Sequence, residues 1–201
     1  LVVMLMELGR YDEATPLATG LVERRMAALG FDALPLALAG RAVGPEAEPL
    51  ARVLHTRGVL AYYLGRFREA AGYYQESLRL GRIVYGARHT RIATTETALA
   101  AALIDLGEHA RAIELLDSAL AIRRAIQGND HPDLAAILVN RAAAMQPLGR
   151  WAEVVADSTE AERILTASIG EDTAAVTAAR NNRAEAHAEI AVFPFATPLL
   201  A

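Results

Sequence analysis

Few residues in this chain are placed to do chemistry. The available imidazole ligands are His55, His89, His109, His131 and His187. No His-Glu-x-x-His string gathers any of them on one helix face, so a metal would need distant segments to converge. The acidic pairs, such as Glu46/Glu48 and Glu171/Asp172, stand where helices are expected to begin, and there a carboxylate interacts favourably with the helix dipole. All 20 basic residues are arginine, which excludes a phosphate-loop lysine and a Schiff-base lysine. Cysteine is absent, which removes disulfides, thiolate zinc sites and a thiol nucleophile. There is no Gly-x-Ser-x-Gly elbow and no glycine-rich phosphate loop. The reading is a non-enzyme with no catalytic residue, no metal and no cofactor. One pair of polar residues is placed differently. Asn140 and Asn182 stand 42 residues apart, and a side-chain amide both donates and accepts hydrogen bonds.

The elements that carry these residues are helical. The chain is 53% hydrophobic but only 5% aromatic, and Ala dominates the remainder, which suits closely packed helices. Strand-like alternation is lacking. The net charge of −4 argues against nucleic-acid binding. No apolar run approaches the ~20 residues that span a bilayer, so a cytoplasmic location is expected. The exclusive use of arginine fits a GC-rich bacterial coding bias. The opening run Leu1-Val2-Val3-Met4-Leu5-Met6 is a poor signal peptide. It reads as the end of a helix whose beginning is missing, and its apolar face could support self-association.

Two glycine columns set the organisation. Leu64-Gly65, Leu106-Gly107 and Leu148-Gly149 recur at steps of 42 residues, and Leu8-Gly9 precedes them by 56. Gly30, Gly86, Gly128 and Gly170 repeat the same spacings of 56, 42 and 42. Two independent columns with one period and one insertion mark an internal repeat. Each Leu-Gly leads into a charged residue and then a ring, as in Leu64-Gly65-Arg66-Phe67-Arg68-Glu69-Ala70 and Leu148-Gly149-Arg150-Trp151. The glycine closes one helix, the ring fills the elbow, and the small residue three places later lets a second helix press close. In the third copy His109 replaces the ring, while His89 and His131 occupy matching turns between repeats. These placements give three of the five histidines a structural account.

The string Leu8-Gly9-Arg10-Tyr11-Asp12-Glu13-Ala14 resembles the tetratricopeptide repeat (TPR). The 42-residue period and Gly128-Asn129-Asp130-His131-Pro132-Asp133 are similar to the long repeats of kinesin light chains and their bacterial relatives. The resemblance implies an all-α fold: a right-handed α-solenoid of antiparallel helix hairpins. The array spans 1–191, with a partial first repeat at 1–30 and an insertion at 31–45. Full repeats follow at 48–86, 90–128 and 132–170, then a capping helix at 172–192 and a tail at 193–201. Expected helices run over 48–64, 67–85, 90–106, 109–127, 132–148 and 151–169. The first helix of each hairpin is implied to line a concave groove, presenting Arg52, His55, Tyr62, Tyr63, Asp105, Asn140, Gln146, Asn181 and Asn182 to a ligand. The implied function is a protein- or peptide-binding scaffold, the adaptor or sensor part of a larger bacterial regulator. The alternative is a nucleic-acid-binding or catalytic accessory module built on the same array.

Overall fold

A computed structural model describes residues 47–170 and 173–192, together with Pro16, Gly20 and Arg24. Those three positions are helical. The rest of the partial repeat with its corner at Gly9, the insertion 31–45 and the tail 193–201 lie outside the described residues.

Among the described residues every regular element is a helix. One compact unit is formed within residues 1–106 and a second within 107–201. The first holds α1 (Ala47–Tyr63), α2 (Phe67–Tyr85) and α3 (Thr90–Asp105). The second holds α4 (His109–Gln127), α5 (Asp133–Met145), α6 (Trp151–Ile169) and α7 (Ala174–Val192). Short turns join α1 to α2 and α5 to α6, so the members of each pair run antiparallel.

The glycine columns serve two kinds of turn. Gly149 sits in the left-handed helical region at φ 67°, ψ 18°, and reverses the chain at the elbow. Gly128 has φ 83° and ψ −178°, an extended positive-φ conformation open almost only to glycine, and it sends the chain outward from α4. A third column closes the same turns from the other side. His89 Nδ1 accepts the Arg91 amide at 3.1 Å, His131 Nδ1 accepts that of Asp133 at 3.2 Å, and Thr173 Oγ1 accepts that of Val176 at 3.3 Å. Each of these residues supplies an acceptor to otherwise unpaired amides at a helix start.

The expected helix over 132–148 is in fact two pieces. α5 stops at Met145 and tightens into a 3₁₀ turn over Gln146–Leu148. Pro147 explains the change, because it has no N–H for the helical ladder and its ring crowds the preceding turn.

Packing follows the small-residue columns. Ala70 and Ala112 are fully buried, as is Val154 at the corresponding place in α6. In the first unit Leu50, Leu80, Ile92 and Leu103 close the core; in the second Leu116, Leu134, Leu138 and Ile164 do so. Each such side chain contributes about 1.5–3 kcal/mol by leaving water. α1 and α2 are in close contact at Gly58, where a β-carbon would stand 2.5 Å from the buried Tyr74 ring.

Candidate ligand-binding surfaces

In the first unit α1, α2 and α3 enclose a pocket of about 280 Å³. Arg52, His55 and Thr56 enter it from α1, Ser77, Gly81 and Tyr85 from α2, and Arg91, Thr94 and Thr95 from α3. Arg52 and His55 were both expected at a ligand surface, and the structure brings them to the same pocket. Arg91 was not expected. It is held by its neighbours: the Tyr85 ring stacks on His89 at 4.7 Å, and the Arg91 guanidinium lies 5.6 Å from the centre of the same ring. Arg52 has Glu48 at 3.9 Å, a long and solvent-exposed pair that ties it loosely.

Thr95 Oγ1 donates to the Arg91 carbonyl at 3.0 Å, and a carbonyl can only accept. A hydroxyl hydrogen given to that carbonyl leaves His55 Nδ1, 3.1 Å from the same oxygen, to donate there. Burial holds the imidazole below its ordinary range, and the Arg91 charge adds to that. Its ring also rests against Tyr74, with centroids 5.5 Å apart. Thr56 Oγ1 donates to the Arg52 carbonyl at 3.0 Å and Ser77 Oγ to that of Ala51 at 2.8 Å. Both oxygens thus present lone pairs.

Two other expected site residues of this unit meet at the elbow. Asp105 stands beside the Tyr62 hydroxyl; burial, and then this carboxylate, push the phenol up to about 12. The Tyr62 ring packs on Phe67 at 5.4 Å and edge-on to Tyr63 at 5.9 Å. Tyr62 is thereby engaged within the hairpin, whereas Tyr63 leaves 40% of its surface exposed.

The second unit separates the residues of its repeated Asn-Arg-Ala string. Arg141 donates from Nε to Asp157 Oδ2 at 2.7 Å and from a terminal nitrogen to Oδ1 at 2.6 Å, and it also reaches Asp117. These carboxylates raise its already high pKa. Arg183 pairs with Glu162, which Arg180 also contacts at 2.7 Å. Ala142 is fully buried. Asn140 and Asn182 are only half-buried, and neither amide bonds to another described residue. Asn181 is exposed beside Asn182. Gln146 reaches across to Glu185 at 3.3 Å.

Among the described residues no group of three or more histidine or acidic side chains could hold a metal ion. Among the same residues no helix is long and apolar enough to cross a membrane.

Solved structures of similar fold are kinesin-light-chain-like. A Podosopora anserina protein, classed as a kinesin light chain with nearly identical TPR-like repeats, is 19% identical. That match covers 96% of this chain and 84% of that one, with a TM-score of 0.67. BtubC (BKLC) from P. vanneervenii is 14% identical over 100% of this chain and 81% of its own, with a TM-score of 0.63. No curated protein matches in sequence. One model of the tetratricopeptide repeat matches residues 51–82 and another matches 91–167. Over these two stretches the chain is built of tetratricopeptide repeats.

Proposed function

We propose that the chain is a non-catalytic scaffold that holds an extended segment of a protein partner, with Asn140 and Asn182 bonding to the partner's main chain. One observation carries this reading. In the Asn-Arg-Ala string the arginines and Ala142 are absorbed by packing and ion pairs, while the two amides have no partner within the described residues. A packing role for the string accounts for both arginines and for Ala142, though not for the exposed Ala184, and it leaves both Asn residues unexplained. A polar side chain that the fold does not use, repeated at the fold's own period, suits a ligand that is itself periodic. An extended backbone is such a ligand, since it offers donors and acceptors at ~3.3 Å per residue. The kinesin-light-chain-like neighbours support the wider reading of an adaptor or sensor portion of a larger regulator. Nuclear magnetic resonance provides a test with peptides selected by display against the full chain. The side-chain amide signals of Asn140 and Asn182 should shift on addition of a selected peptide. Shifts elsewhere with these two signals unmoved would count against the amides as the contact.

A further inference from the structure

The pocket of the first unit has a composition that the main-chain scaffold does not need. Two guanidiniums, Arg52 and Arg91, line one small cavity, and Arg91 has no carboxylate within ion-pair distance among the described residues. Cation–π contact with Tyr85 positions its charge without neutralising it. The buried Tyr85 hydroxyl adds one donor to this side, and the other hydroxyls of the lining are turned to acceptors. Thr56 and Ser77 direct their hydroxyl hydrogens to backbone carbonyls, and His55 Nδ1 is engaged with Thr95. The pocket therefore combines a cationic side with an acceptor-lined side.

We propose that this pocket binds a free α-amino or α-hydroxy carboxylate. The carboxylate meets Arg91 and Arg52, where planar guanidinium and planar carboxylate match in shape and charge. The donor on the adjacent carbon faces the lone pairs of Thr56 and Ser77. A phosphate fits this lining less well, because its oxygens beyond the arginines and the Tyr85 hydroxyl would be set against the Thr56 and Ser77 oxygens. Size points the same way. At about 280 Å³ the cavity lies just below the range that encloses drug-sized ligands, and it suits a molecule of amino-acid dimensions.

The test is calorimetric titration of the full chain with each common free L-amino acid, with lactate, and with acetate and inorganic phosphate as the contrasting probes. A pentapeptide with a free C-terminus separates a free acid from a chain end. We expect saturable binding of at least one amino or hydroxy acid, with acetate and phosphate at least about tenfold weaker. Arg91→Gln should weaken that acid about tenfold or more while melting like the parent chain. Thr56→Val should weaken the same acid and leave acetate unchanged, which a purely electrostatic patch would not do. Four outcomes would overturn the proposal: no amino or hydroxy acid binds; phosphate binds as tightly as any of them; the pentapeptide outcompetes the free acid; or Arg91→Gln binds normally. Display-selected peptides report on Asn140 and Asn182 separately, so failure here leaves the scaffold reading intact, and the reverse also holds.

Discussion

Arg141 on α5 grips Asp157 on α6 with two nitrogens, at 2.7 and 2.6 Å, and the carboxylate it holds is only 5% exposed. Burial drives the Asp157 carboxyl upward, and the guanidinium opposes that drive. Removing one partner strands the other. Arg141→Ala should therefore destabilise the second unit by about 3–5 kcal/mol, far more than loss of an exposed pair such as Arg150–Glu153. The double change Arg141→Met with Asp157→Leu should recover most of that loss, since an apolar pair of similar volume needs no compensation. Denaturant unfolding of the three variants is the measurement. Equal losses from Arg141→Ala and Arg150→Ala would show that Asp157 is not buried as described.

The close approach of α1 and α2 gives a second expectation. Gly58→Ala gains roughly 1 kcal/mol of helix propensity, but the new methyl would lie 2.5–2.9 Å from three atoms of the Tyr74 ring. That ring is only 2% exposed. Overpacking, about 1–3 kcal/mol, should win and lower the melting temperature. Tyr74→Leu in the same chain should relieve the clash, so Gly58→Ala should cost less in that background. A Gly58→Ala variant that melts higher than the parent would contradict the assigned contact.

Among the described residues the 42-residue period, the hairpins and each helix start within two residues were legible in the sequence, because short-range chemistry sets them. Gly65, Gly107 and Gly149 and Gly86, Gly128 and Gly170 all take positive φ, as their columns require. The 3₁₀ end of α5 was signalled by Pro147, and the repeat spacing masked it. Side-chain partnerships were less legible. In the pocket Arg91 lies against Tyr85, from another helix, a contact that its own sequence neighbours do not signal. The Asn-Arg-Ala string shows its repetition in sequence, but only Asp157 and Glu162, on α6, reveal which of its members the fold consumes. Tyr62 and Asp105 were both read as groove residues, and no local pattern indicated that they would meet each other.

His55 makes the first unit sensitive to acid. Its pKa in the fold is depressed by burial, so the unfolded chain binds a proton more readily. Stability from this group is complete above the ordinary value of 6.5, and it falls as the pH drops below 6.5 through the depressed value. His55→Gln should flatten that part of the profile. Thermal melts across this range, read against the variant, check it; identical profiles for the two chains would remove His55 from the account.

The central claim is that Asn140 and Asn182 hold a partner's backbone. Its most direct measurement is the affinity of display-selected peptides for the full chain and for the Asn140→Ala/Asn182→Ala double variant. The account predicts a loss of at least about 1 kcal/mol, roughly fivefold, with the melting temperature unchanged. It also predicts a comparable loss when backbone nitrogens of the peptide are methylated, because the contact is to the main chain. Equal affinity of both chains for every selected peptide, with both folded, would contradict it.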